Sequence, residues 1–170
     1  MSVTIDDKKL KDALSKMMHN LAHPKPIYSQ IGLILRDGFI AQFETAGAHW
    51  GDKWQQSGEQ IKALRDWQGY NYDRNHPGIG TGETKKSFTY VADDQSVVIG
   101  TVQKSAASFQ EGSNTPVLAR FPKKGGSGQW KWGYFPKVPP RQVTPKRGLT
   151  KQEENAMLTA VIKGLTRGLG

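Results

Sequence analysis

Residues Ser96 to Gly112, SVVIGTVQKSAASFQEG, hold the pattern around which the rest of the chain is placed. Val97 to Thr101 reads as a short buried strand. Ser105 to Glu111, apolar at Ala106, Ala107 and Phe109, reads as a helical turn or short helix that Gly112 stops. Just upstream, Ser87 to Ala92 alternates Phe88, Tyr90 and Ala92 on one face with Ser87, Thr89 and Val91 on the other, which is the period of a strand. Asp93-Asp94-Gln95 supplies a turn between them, so the pair predicts an antiparallel hairpin.

Downstream of that stretch, Pro116 to Phe121 and Gln129 to Phe135 are two further strands, joined by the Gly-rich tip from Pro122 to Gly128. Trp130, Trp132 and Tyr134 alternate with Lys131, Gly133 and Phe135, and the basic residues at base and tip give this hairpin the look of an arm that reaches a neighbour. Pro136 to Pro145 holds four prolines and is expected to be extended or irregular. Thr150 and Glu153 then form a capping box, without the hydrophobic staple, at the head of a helix running to about Leu165. Met157, Leu158, Val161, Ile162 and Leu165 make its apolar face, most simply a core face, and Gly164 and Gly168 fray its end.

On the N-terminal side, the strongest periodic segment runs from about Ser29 to Ala46. Ile31, Leu35, Phe39 and Phe43 recur at four-residue steps in it, which predicts the helix that nucleates the core. Gly38, in its middle, is expected to mark close approach to a strand. An earlier helix spans Thr4 to Leu21, with Thr4 and Asp7 as capping pair and Leu10, Leu14, Met17 or Met18, and Leu21 as a stripe read as core in preference to a partner-binding face. His23-Pro24-Lys25-Pro26 is expected to exclude helix and to link the two as extended chain. Gly47 and Gly51 end the second helix, and Trp50 and Trp54 begin an aromatic loop that continues through Trp67, Tyr70 and Tyr72. Such rings stack bases in single-strand binding proteins, but more often pin a loop to a core.

The chain has 170 residues, of which 36% are hydrophobic, with 19 Gly and 9 Pro. That length suits one domain, but the thin apolar supply points to a compact centre carrying long loops or arms ordered by a partner, and hence to an oligomer. With no Cys there is no disulfide framework and no thiolate zinc site, which favours an intracellular setting. The N-terminus is charged early and has no long apolar run, so neither a signal peptide nor a membrane span is expected there. Net charge is +9, and Gly112 to Gln152 holds nine Lys or Arg and no Asp or Glu. A block of this kind suits an acidic protein surface, a phosphate backbone or a solvated arm.

Catalytic signatures are missing from the sequence. Asn75 to Thr84, NHPGIGTGET, fits neither phosphate-loop spacing. His19, His23, His49 and His76 do not converge at metal-ligand spacing, so no metal site is expected. The acidic pairs Asp93-Asp94 and Glu153-Glu154 are explained by a turn and a helix start. No enzyme and no cofactor are expected. The reading that competes with a structural role is a basic nucleic-acid-binding protein acting in DNA packaging or assembly.

The order of motifs resembles the phage virion morphogenesis family, the tail-completion and neck proteins of contractile-tailed phages. The resemblance covers about Ile31 to Leu165. It rests on the helix containing Leu35-Arg36-Asp37-Gly38-Phe39, the Gly47-to-Trp50 segment, the run from Thr81 to Tyr90 with Thr84 where Leu is usual, and the strand Ile99 to Thr101. It continues in Ser105 to Gly112, where Ser105 and Phe109 replace the usual Tyr and His, and in Pro139 to Thr144, where Thr144 replaces an aliphatic residue, ahead of the last helix.

The resemblance implies a noncatalytic ring-forming protein at the junction between DNA-filled head and tail. Its partners would be copies of itself in a hexameric or dodecameric ring, neighbouring tail and head-connector proteins, and genomic DNA in the lumen, with no membrane. Its place would be the virion neck or tail, after assembly in the host cytoplasm. The expected fold is α+β, with a small antiparallel sheet packed by two or three amphipathic helices, a protruding basic hairpin and long loops. Residues 1–26 form an N-terminal helix and Pro linker. Residues 27–170 form a single domain that includes the arm 116–136 and the helix 150–166. Lys123, Lys124, Trp130, Lys131 and Trp132 on the arm, with Arg141 in the family-like element, are the expected partner-binding residues, although the two Trp also have the size to pack on the subunit's own sheet.

Overall fold

The computed structural model describes residues 7–54, 82–103, 106, 110–112, 117–122, 130–135, 140–145 and 147–169. Within them the architecture is α+β: helices α1 (Lys8–Ala22), α2 (Lys25–Glu44), α3 (Glu83–Lys86) and α4 (Lys151–Leu165), and strands β1 (Thr89–Ala92), β2 (Val97–Gly100), β3 (Val117–Pro122) and β4 (Trp130–Phe135). The strands pair as two antiparallel two-stranded ladders, β1 with β2 and β3 with β4. The chain divides into two compact units. The first comprises Met1–Asp37, Thr89–Gly100 and Thr150–Gly170; the second comprises Gly38–Phe88 and Thr101–Leu149. Helix α2 is continuous and gives its first part to one unit and its remainder to the other.

In the first unit, the expected hairpin is present with Thr89 opposite Gly100, Tyr90 opposite Ile99, Val91 opposite Val98 and Ala92 opposite Val97. Burial alternates as the sequence pattern requires, with Tyr90, Ala92, Val97 and Ile99 on the more covered face. The turn is closed by the Asp93 carboxylate, which accepts from the backbone N–H of Gln95 (2.8 Å) and Ser96 (2.7 Å). These two bonds, in that order, hold the Asp93 carboxyl below its ordinary range. The neighbouring Asp94 Oδ1 accepts from the Lys25 backbone N–H (3.1 Å), satisfying one of the orphan donors at the start of α2.

Two glycines set the helix packing of this unit. A Cβ added at Gly32 of α2 would run into the Tyr90 ring, and one added at Gly164 of α4 would run into the Ile27 side chain. A close approach of this kind is thus made at Gly32, and Gly164 lies inside α4 as a packing position rather than at a frayed end. The capping box of α4 is complete: Thr150 Oγ1 accepts from the Glu153 N–H (3.2 Å), while Glu153 Oε2 accepts from the Thr150 N–H (2.8 Å).

Three further expectations are corrected. The described part of α1 starts at Lys8 with Asp7 as its cap residue, which makes no side-chain capping bond and instead pairs with Lys11 at 2.8 Å; Thr4 lies outside the described residues. The link at His23-Pro24-Lys25-Pro26 is shorter than expected, because α2 begins at Lys25 and takes Pro26 into its first turn, where the missing N–H would have had no intrahelical acceptor. The stripe on α1 is not core: no residue of this helix is buried.

The second unit is built on aromatic rings. Phe43 of α2 is wholly buried, and Trp50, Trp54 and Phe88 are buried around it. Phe39 stacks on Phe88 with centroids 4.7 Å apart and meets Trp50 edge-on at 5.0 Å, while Phe43 meets Trp54 edge-on at 5.2 Å. These edge and stacked geometries explain why Trp50 and Trp54 serve packing rather than base stacking. The C-terminus of α2 closes with bonds from the Ala46 N–H to Phe43 O (3.2 Å) and from the Gly47 N–H to Gln42 O (2.8 Å), with Ala46 at φ 51° and Gly47 at φ 96°. In the region of the expected short helix, Ala106, Gln110 and Glu111 are helical and Gly112 follows at positive φ; residues 104, 105 and 107–109 lie outside the described part.

Candidate assembly interface

Three regions bear on function: the irregular segment before α4, the β3–β4 ladder, and the outward face of α1. The first is Pro140 to Pro145, which has no ladder to satisfy its backbone. Glutamine amides do so instead. The wholly buried Gln42 donates from Nε2 to Gln142 O (2.7 Å) and accepts at Oε1 from the Trp50 N–H (2.9 Å). Trp54 Nε1 donates to the same Gln142 carbonyl at 3.0 Å. Gln110 Oε1 accepts from the Val143 N–H (2.8 Å) and Gln142 Nε2 donates to Thr144 O (2.8 Å).

So clamped, the segment turns Arg141 and Val143 inward, at 4% and 3% exposure. An Arg141 side chain this covered has almost no surface to offer a neighbour. None of the three glutamines was singled out by sequence reasoning, but one signal was available for Gln42. It lies one residue before Phe43 and three after Phe39, on the apolar side of α2, where a polar residue needs a dedicated partner.

The second region is the β3–β4 ladder, where the arm was expected. β3 and β4 pair with Val117 opposite Phe135, Arg120 opposite Trp132, Phe121 opposite Lys131 and Pro122 opposite Trp130. Trp130, Lys131 and Trp132 are thus three consecutive backbone positions of β4. Lys123 and Lys124, together with the rest of the tip, lie outside the described residues, as do Trp67, Tyr70, Tyr72 and the Gly-rich run from Asn75 to Gly80.

The third region was read as core and is not. α1 turns Ala13, Met17 and Asn20 to its more covered side, where Asn20 Nδ2 donates to Leu165 O (3.0 Å) and Arg167 O (3.1 Å) at the end of α4. Lys16 Nζ donates to Gly168 O at 2.7 Å. Leu10, Leu14, Met18 and Leu21 are left 50–72% exposed. Completing their burial would be worth roughly 1 to 2 kcal/mol each, taking half or more of the full side-chain value. A helix of 15 residues with no buried side chain lacks the packing that normally holds so short a helix in water.

α4 shows the same division. Glu153, Met157, Val161 and Leu165 lie on its covered side while Leu158 and Ile162 are exposed, so its apolar stripe is split between subunit and solvent. On the outer face of the first hairpin, the cross-strand pair Val91 and Val98 is exposed as well. All of these residues belong to the first unit. Patches of large apolar side chains left in water mark association surfaces more often than accidents of packing.

Taken together, the fold and these surfaces define a small α+β subunit with a rigid aromatic and amide-clamped part and a helix whose apolar face is open. The chain belongs to the phage virion morphogenesis family, whose model matches residues 5–166 of the 170. Membership gives it a structural or assembly role in the phage particle. Comparisons with curated proteins and with solved structures give no match. Among the described residues no helix is long and apolar enough to cross a membrane, and no group of three or more His, Cys, Asp or Glu is placed to hold a metal ion.

Proposed function

We propose that this protein forms a homo-oligomeric ring at the head-to-tail junction of a phage particle, as a tail-completion or head-completion protein joining the connector to the tail. The observation that carries the reading is the open apolar face of α1 in a chain of this family. A stripe of four large side chains in water costs solubility in a free subunit and stabilises an assembled one. A ring of six or twelve copies covers such a stripe by repeating one heterologous contact until it closes. The basic block from Gly112 to Gln152 then supplies charge toward acidic neighbours in the tail or connector, or toward DNA in the lumen.

A nonsense mutation in the gene for this chain tests the role directly. Electron micrographs of infected cells should show filled heads and separate tails that fail to join, and joined particles would overturn the reading. The arm is tested by the double change Lys123→Glu and Lys124→Glu. The purified variant should melt as the wild type does while the yield of joined particles falls; an unchanged yield would remove the arm from the interface.

A further inference from the structure

We propose that α1 of one copy docks on the outer face of the β1–β2 hairpin of the next copy, and that this is the contact that repeats around the ring. The inference rests on the ring reading above and names the two surfaces that meet. α1 presents Leu10, Leu14, Met18 and Leu21 to solvent. Around that stripe the helix is basic, with four Lys (Lys8, Lys9, Lys11, Lys16) against Asp12 within it and Asp7 at its cap, the latter paired with Lys11.

The hairpin is its counterpart in both respects. Val91 and Val98 face each other across the ladder and are exposed at 72% and 64%. From Ser87 to Gln103 the sequence holds Asp93 and Asp94 and not one Lys, Arg or His. Both carboxylates are fixed at the tip, Asp93 by the turn N–H groups and Asp94 by the start of α2, where Lys25 is the neighbouring cation, so the hairpin carries its negative charge at the end of the strands that hold the valine pair. Their local bonds hold them in position.

A leucine stripe with a basic surround matches a valine face with an acidic tip. Two α1 helices facing each other would instead bring like charges together, at an energetic cost. Because stripe and hairpin are different surfaces of the same chain, their contact is heterologous, and repetition by rotation generates a ring without a second type of subunit.

The chain has no Cys, so an engineered pair reports one contact without background. Full-length Met18→Cys and Val98→Cys chains, both altered at exposed positions, are mixed in equal amounts and oxidised, with each also oxidised alone. The proposal predicts a disulfide-linked mixed dimer in the mixture, little product from either chain alone, and loss of the mixed dimer when Leu14→Glu is added to the Met18→Cys chain. Dimers of the Met18→Cys chain with itself would show two-fold helix pairing and overturn the proposal. Wild-type chain treated in parallel with a lysine cross-linker separates the two levels of failure. Wild-type oligomers without the mixed disulfide would overturn this contact and leave the ring standing, whereas wild-type monomers would count against the ring itself.

Discussion

Gln42 is the residue on which the interior of the second unit turns. Its amide joins the Trp50 backbone to the Gln142 carbonyl, and it has no exposure to water. Gln42→Leu keeps the volume but takes the acceptor from the Trp50 N–H and leaves the Gln142 carbonyl with the Trp54 Nε1 donor, so stability should fall by about 1 to 3 kcal/mol, measured by denaturant unfolding. Gly32→Ala should be destabilising by a similar ~1 to 3 kcal/mol, because its new methyl group meets the Tyr90 ring. At Asp93 the prediction concerns pH. Its folded-state pKa lies below the ordinary value of 3.8, so its contribution is present above that value and is lost as pH falls through the lower, folded one. The protection of the Gln95 and Ser96 amides relative to their intrinsic exchange rates should fall on acidification through that window, and Asp93→Asn should abolish that change in protection.

At the scale of elements, the capping box makes α4 the helix with the best-defined start. Thr150→Ala should lower stability by about 1 kcal/mol, visible as a lower melting temperature, since it removes the acceptor for the Glu153 N–H. The first hairpin, the long second helix and the capping box were legible in the sequence because each is set by local chemistry: alternation from Phe88 to Ala92, four-residue steps from Ile31 to Phe43, and the spacing of Thr150 and Glu153.

What could not be read locally was which side of an amphipathic helix finds a partner. Leu14 and Met17 belong to the same periodic stripe of α1, yet one is exposed and the other half-covered, a difference set by where α4 ends. Pro26 misled for a similar reason, since a proline that breaks a helix interior is harmless in a first turn. The glutamine clamps on Pro140 to Pro145 join positions about 100 and 33 residues apart, beyond the reach of any periodicity.

For the whole molecule, a basic chain of the phage virion morphogenesis family exposes, among the described residues, large apolar side chains of α1, α4 and the β1–β2 hairpin on its first compact unit, and Val102 on the second. Leu14→Glu with Met18→Glu should leave the melting temperature of the isolated chain nearly unchanged, because neither side chain is buried, and should prevent self-association in sedimentation experiments. The proposed place of this chain, as a ring component of the particle neck, is tested by cryo-electron microscopy of the intact virions. A symmetric ring between connector and tail into which the chain can be traced, with α1 covered by the adjoining copy, is expected; mature particles whose neck lacks this chain would overturn the proposal.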